Sequence, residues 1–431
     1  MKRRAAFLVA VVIFWRNIAQ ANPPEYLAAS RQPAESASEQ PSPFDEPSLQ
    51  LPEWRLAASS KEPFFRDSTF GLEPRFYYRY LDDGTLHEAV AIGGALILTS
   101  GWWRDMLQLG FGGYTAQPLA TPHDAGGTGL LRKDGDGLSV LGQAWAKLSF
   151  DPATATLFRQ KIDLPFINSD DSRMIPNTFE AYRVEINPSE LFRFGLAYIT
   201  REKSKTSAQF RPMSEVAGGP GQVDRGTSVA GFFVGTKDET YIGAINELTW
   251  DLLNIAYAEA SRTWDLSDDF QLRSIIQFVD QQSVGDDLIG RFATQLYGAS
   301  LIASYRSLVL SVAFTGTADG ASILKPFGGT PAFNSLMISD FDRAGEDSLG
   351  VGVSYDFARI GLAGVTFFAD YAHGVFPGGQ HEDEINGTAD YRVDKGSLKN
   401  LWFRVRYGHT WESNQPEKRD FRVTINYTLA F

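Results

Sequence analysis

The sequence contains no cysteine among its 431 residues. Disulfide frameworks and thiolate metal sites are therefore excluded, and a chain crossing an oxidising compartment avoids mispairing. Long hydrophobic runs are also missing. The longest, from Ala5 to Trp15, is too short to span a bilayer as a helix, which takes about 20 apolar residues. Basic runs interleaved with aromatics are absent as well, which argues against a nucleic-acid partner. Only five histidines occur: His87, His123, His373, His381 and His409. No pair of them has metal-ligand spacing, and His381 with Glu382, Asp383 and Glu384 reads as a charge run in a loop. Asp340, Asp342, Glu346 and Asp347 lack the glycine and acid spacing of a calcium loop. Gly-x-Ser-x-Gly, His-Glu-x-x-His and phosphate-loop motifs do not occur. We expect no cofactor, no metal and no enzymatic activity.

The amino terminus has a clear grammar. Lys2, Arg3 and Arg4 precede the short apolar run, and Ala19, Gln20 and Ala21 form a small-x-small cleavage site. This pattern predicts a secretory signal peptide over residues 1–21. Its removal takes away Lys2, Arg3, Arg4 and Arg16, moving the formal charge from −12 to −16. Residues 22–63 hold eight prolines among Ser, Ala and Glu and predict a flexible periplasmic tail.

From residue 64 onward the chain becomes a series of alternating runs. The final stretch is the most regular: Phe421, Val423, Ile425, Tyr427, Leu429 and Phe431 alternate with Arg422, Thr424, Asn426, Thr428 and Ala430. Successive strand side chains point to opposite faces, so one face is greasy and the other wet. The same parity separates Leu72, Pro74, Phe76, Tyr78 and Tyr80 from Arg75, Tyr77 and Arg79. It separates Leu401, Phe403, Val405, Tyr407 and Trp411 from Trp402, Arg404, Arg406, Gly408 and Thr410. Similar runs lie at 191–199, 307–315, 349–357 and 365–371.

The turns between runs are of two kinds. Short ones fall at 187–189, 265–268 and 306–307. Long ones, rich in Gly, Asp or Pro, fall at 118–137, 163–177, 206–226, 316–345 and 375–383. Tight turns on one side and long loops on the other are the layout of an outer-membrane β-barrel. A soluble sandwich also alternates but has no reason for that asymmetry. The fold expected is an all-β transmembrane antiparallel barrel over 64–431. It has about 18 strands, at about 10 residues per strand plus loops.

Four stretches carry a resemblance to a known family. Arg75-Phe76-Tyr77-Tyr78-Arg79 is an Arg-aromatic run closing on a second Arg. Ser172-Arg173-Met174-Ile175-Pro176-Asn177-Thr178 resembles a Ser-Arg-x-x-Pro-Gln-Thr loop segment. Ser339-Asp340-Phe341, Gly345-Glu346, Ser348, Tyr355-Asp356 and Gly364-Val365-Thr366-Phe367 follow a signature in order. Lys399 to Arg406, Phe421-Arg422-Val423 and Asn426-Tyr427 resemble two closing strands. In order and spacing these resemble the OprD family of substrate-specific outer-membrane porins. The tail after the signal is longer than that pattern, and Asn177 stands where it has Gln. The resemblance implies an 18-stranded barrel in the outer membrane. It also implies passive uptake of small carboxylate-bearing solutes, including amino acids and aromatic or aliphatic acids, along an inner row of basic side chains.

The residues point to such a row independently. Arg75, Arg79, Arg404, Arg406 and Arg422 all sit on the polar parity of amphipathic strands. A charge on the lipid face costs about 2–4 kcal/mol at the bilayer midplane, so these arginines should face the lumen. Barrel closure makes the first strand a neighbour of the last, which joins the five into one stripe. Arginines two apart stand about 6.6 Å from each other, and each offers a planar fork matched to carboxylate. The alternative is that acidic neighbours neutralise them and they merely fill the lumen. Arg193, Arg273 and Arg392 share the parity elsewhere on the wall. Arg173, with Asp163, Asp170 and Asp171 beside it, is the candidate for the narrowing, where opposed charges orient a zwitterion; a loop salt bridge is the plainer reading. Tyr182 is expected to anchor outward. Two rival functions remain: a closed barrel of structural or adhesive role, and a barrel hydrolase. The expected partners are carboxylate solutes and outer-membrane lipids, with the protein a monomer or loose homotrimer.

Overall fold

The protein was described from a computed structural model covering residues 62–430 apart from Lys237. The expected signal peptide, and the tail up to residue 61, lie outside the described residues. The first described segment is a single helical turn, Pro63–Arg66, with proline at its first position. Proline is tolerated there because that N–H has no helical partner in any case.

Eighteen long strands follow and close on themselves. They are β1 (Thr69–Asp82), β2 (Leu86–Thr99), β3 (Leu107–His123), β4 (Leu138–Phe150), β5 (Ala153–Gln160) and β6 (Thr178–Ile186). Next come β7 (Phe192–Lys203), β8 (Thr227–Gly235), β9 (Thr240–Thr249), β10 (Leu253–Ser267), β11 (Phe270–Ser283) and β12 (Ala293–Tyr305). The last six are β13 (Leu308–Thr317), β14 (Asp347–Asp356), β15 (Val365–Phe376), β16 (Gln380–Arg392), β17 (Leu401–Glu412) and β18 (Lys418–Tyr427). Two-residue pairings at Arg211–Pro212 and Leu429–Ala430 extend the edges of this array.

Every neighbour in the ring is antiparallel, and β1 pairs with β18 from Arg75↔Asn426 to Asp82↔Arg419. Closure leaves the sheet without a free edge among the described residues, so strand N–H groups find partners on a neighbouring strand. The parity follows the expected pattern. Leu310, Val312 and Phe314 are exposed on the outside of β13, whereas Val309 and Thr315 are buried within. Tyr182 also points outward, as expected. Crowding between β1 and β2 is relieved by Gly94, which has φ +131°; a Cβ there would stand 1.8 Å from the Glu73 carbonyl oxygen.

Two expected loops change their character. Residues 375–383 form a tight hairpin, with β15 running to Phe376 and β16 starting at Gln380. The acidic run misleads because its charges are satisfied from a strand. Glu382 bonds Arg343 at 3.0 Å, and Asp383 bonds the His373 ring at 2.8 Å. His381, Glu382, Asp383 and Glu384 thus belong to β16, not to a loop. Residues 118–123 belong to β3, where register shifts against β2 accommodate Pro118. The long loops that remain are 124–137, 161–177, 204–226 and 318–346.

The lumen is not an open pipe. Loops 161–177 and 318–346 fold into it and meet through Ile167, which bridges Phe327 and Gly328. Asn168 N donates to the Phe327 carbonyl at 2.9 Å. Phe166, Ile167, Phe327, Ile323 and Met213 pack with Val229, Ile245, Tyr257, Val279 and Leu296 into the largest apolar cluster. This cluster fills the side of the lumen bounded by β6 to β12. The opposite side, from β15 through β18 to β1, is lined by charge.

Candidate functional site: a basic wall facing two inserted loops

Register places the five wall arginines side by side. Arg406 lies directly opposite Arg422, and Arg422 opposite Arg79, so three guanidinium-bearing positions on β17, β18 and β1 share one row. Neighbouring strands are about 4.8 Å apart, which keeps the row compact. Arg404 sits one step along β17, paired with Asp390 on one side and Thr424 on the other. Arg75 is opposite Asn426, at the next inward positions. Arg79, Arg404, Arg406 and Arg422 are each less than 10% exposed.

Aspartates hold these side chains in place. Asp420 accepts from both Arg79 and Arg422: Arg79 Nε at 3.1 Å, and Arg422 Nε and Nη2 at 3.0 and 2.6 Å. Asp390 takes a two-point contact from Arg404 at 2.7 and 2.8 Å, and Trp402 stacks under the same guanidinium at 4.4 Å. Arg75 donates to Asn426 Oδ1 and Asp171 Oδ1, both at 2.7 Å, and also to the Arg173 carbonyl. Such paired, planar contacts fix both direction and rotamer. Three aspartates therefore bond directly to four arginines of the wall.

Loop residues complete the site. Arg79 Nη1 donates to the Thr128 carbonyl of loop 124–137 at 2.6 Å, and Arg422 Nη2 to the Met337 carbonyl of loop 318–346 at 3.0 Å. Tyr77, on the inner face of β1, donates to the Ser172 carbonyl at 3.2 Å. Arg173 is then suspended in front of the wall. Its own polar contacts are with Ser172, the carbonyl at 3.1 Å and Oγ at 3.2 Å. Among the described residues no carboxylate lies within 4.0 Å of it. Burial, with Arg79 and Arg422 close by, pulls Arg173 down to about 9, so it stays charged at neutral pH.

The acids of the same loop turn elsewhere. Asp163 accepts from Ser169 N at 3.3 Å. Asp170 holds Lys205, and Asp171 holds Arg75 at 2.7 Å and Lys161 at 3.7 Å. Burial opposes ionisation of Asp170 and Asp171, but these cations win and keep both below the usual carboxylate range. The loop is thus one unit anchored to wall and strand ends, with Arg173 half-buried beside the wall.

Arg193 and Arg273 lie apart from this cluster, whereas Arg392 adjoins it through Trp402, the ring it shares with Arg404. Arg193 sits over the Phe233 ring at 5.1 Å, Arg392 over Trp402 at 4.7 Å, and Arg273 donates to Ser261 at 2.9 Å.

The sequence alone did not reveal the second inserted loop. Residues 337–339 form a nest around Glu384, whose carboxylate accepts from Met337 N at 2.9 Å, Ile338 N at 3.0 Å and Ser339 N at 2.7 Å. Gln281 and Gln277 hold the same loop further along: Leu324 N reaches Gln281 at 2.8 Å, and Gln277 reaches the Pro331 carbonyl at 2.9 Å. The signal was present as polar residues of inward parity, Gln277, Gln281 and Glu384, facing a loop long enough to return.

The outer membrane porin family OprD matches residues 62–431, the whole of this barrel. This chain is an OprD-family outer-membrane porin. Porin D of Pseudomonas aeruginosa is 29% identical to it over 119 residues; the alignment spans 22% of this chain and 27% of Porin D. The barrel also resembles solved OprD-type structures. OpdK of Pseudomonas aeruginosa, crystallised with vanillate, matches with a TM-score of 0.77 at 20% identity, over 85% of this chain and 99% of that one. OccAB1 of Acinetobacter baumannii matches at 0.77 with 17% identity, over 87% and 99%. OccK2 (OpdF) of Pseudomonas aeruginosa, in complex with glucuronate, matches at 0.74 with 18% identity, over 86% and 100%. At these identities the structural likeness establishes the fold of this OprD-family chain, and its solutes have to be argued from its own residues.

Proposed function

We propose that this porin passes small carboxylate-bearing solutes inward, without covalent chemistry or energy coupling. Solute reaches Arg173 at the narrowing and is handed to the stripe of Arg79, Arg422, Arg406, Arg404 and Arg75. The observation that carries this reading is Arg173. It is a charged guanidinium with no carboxylate within 4.0 Å among the described residues, and it stands before a row of wall arginines. A bound carboxylate would supply the missing partner. Conduction needs several weak sites and no deep one, and arginines already shared with Asp420, Asp390 and Asp171 supply graded attraction. Two porins of the same fold were crystallised with vanillate and with glucuronate, both carboxylates.

The test is single-channel recording in planar bilayers with a panel of organic acids. Charged hydrogen bonds contribute about 1.5–3 kcal/mol, so Arg173→Gln should weaken block of the current by acids about 10-fold or more. Carboxylate block equal to the parent's would remove Arg173 from the path. Absence of any current steps from the parent protein would favour a closed barrel of structural or adhesive role.

A further inference from the structure

Loop 124–137 forms a third side of the narrowing, between the basic wall and loop 161–177. It is held at several points. Asp124 lies 2.7 Å from Nδ1 of the His87 ring on β2, and the Thr128 carbonyl accepts from Arg79 Nη1 at 2.6 Å. The Thr128 hydroxyl donates to the Ala125 carbonyl at 2.6 Å and accepts from Leu130 N at 3.2 Å. Leu130 and Leu131 are fully buried and pack in one cluster with Met174 and Ile175, which follow Arg173 in the neighbouring loop. Gly129 ends the single helical turn Ala125–Thr128 in the left-handed region, with φ +68°. Glycine enters that region freely, and Asn and Asp are the side-chain-bearing residues that tolerate it best.

A Cβ at Gly129 would stand 3.6 Å from Arg173 Nε and 3.9 Å from Arg79 Nη1. Among the described residues beyond its chain neighbours it would meet no other atom within 4 Å. The space over this glycine is therefore bounded by one guanidinium from the inserted loop and one from the wall. Because both nitrogens lie within 4 Å of one point, a single carboxylate can bridge them with charge-assisted bonds of about 2.8 Å each. We infer that Gly129 is a specificity-determining residue of the narrowing: its missing side chain keeps open the space in which a solute carboxylate bridges Arg173 and Arg79. This rests on the carboxylate reading above and adds a loop that the reading did not use.

The experiment is single-channel recording with propionate as the blocking acid. Gly129→Asp places the protein's own carboxylate in the gap and should weaken propionate block about 10-fold, the loss of one charged contact. Gly129→Asn has the same shape without the charge and should weaken block several-fold by filling the space. Gly135→Asp is the control. It adds the same charge to the same loop at another left-handed position, φ +83°, where a Cβ would meet the Ala125 Cβ at 3.6 Å and no guanidinium. Its block should equal the parent's. All variants are first checked for heat-modifiable mobility, the sign of a closed barrel, and Gly129→Asn carries the test if Gly129→Asp does not fold. Block in Gly129→Asp equal to that in Gly135→Asp overturns the inference, as does parent-like block in Gly129→Asn. Failure of the carboxylate reading looks different: Arg173→Gln then blocks like the parent, whatever the Gly129 variants do.

Discussion

At the scale of single residues, the wall is governed by how few acids hold many bases. Asp420 is fully buried and accepts from two guanidiniums, and its two partners lie on strands far apart in sequence, β1 and β18. Replacing it with asparagine would leave Arg79 and Arg422 buried beside each other without their anion. Breaking a buried ion pair from one side costs about 3–5 kcal/mol. Asp420→Asn should therefore lower the midpoint of urea unfolding in detergent micelles or lipid vesicles. It should also raise anion selectivity in any protein that folds, because it removes a negative charge from the path. An unfolding midpoint equal to that of the parent would show that Asp420 is not the keystone of closure. Arg173 obeys the opposite logic. Its own side-chain bonds among the described residues go only to Ser172.

At the scale of elements, the inserted loops are held by specific anchors. Loop 318–346 returns to the wall because Glu384 offers one carboxylate to three successive backbone N–H groups. A nest of this kind fixes backbone direction as well as position. Glu384→Ala should free residues 337–339 without opening the barrel. The expected outcome is new protease cleavage within 318–346 in intact vesicles and noisier current at higher mean conductance. Quiet current with an uncut loop would mean that the apolar packing around Phe327 holds the loop alone. The same element explains a misreading. His381 to Glu384 look like loop residues in a linear chain, since four charged or polar residues in a row break the alternation. In the barrel they have partners on both faces. Glu382 and Glu384 meet the inserted loop, and Asp383 meets His373 and Tyr371 on the neighbouring strand.

At the scale of the whole molecule, the two faces of one strand live in different solvents. Val312 on β13 points into lipid and Ser311 beside it points into the lumen. Arginine at the lipid-facing position should cost about 2–4 kcal/mol near the midplane, and much less on the wet face. We expect Val312→Arg to reduce the yield of folded barrel and its unfolding midpoint, with Ser311→Arg close to the parent in both. Equal penalties would contradict the assignment of faces. The asymmetry of the interior also belongs to this scale. Apolar packing of the inserted loops fills the side against β6 to β12, and charge lines the side from β15 to β1.

Much of this was legible in the residue order. Strict alternation from Phe421 onward fixed which side chains are wet, since a strand side-chain period of two allows no other assignment. The cost of charge in lipid then places Arg75, Arg79, Arg404, Arg406 and Arg422 on the inward face from the alternation alone. What local order could not supply was partnership. That Arg406, Arg422 and Arg79 stand in one row depends on the register of β17, β18 and β1. Register is set by closure of the ring, not by any one strand. That Asp420 and Asp390 tie the row down, that loop 318–346 comes back to meet 161–177, and that Gly129 lies beside both Arg173 and Arg79 are all contacts across tens to hundreds of residues. A linear pattern reports only its nearest neighbours. The sequence by itself determined the two faces of the wall, because solvent acts on each residue in turn. The tertiary structure decided the path through it, because a path is made of distances between residues that the chain keeps far apart.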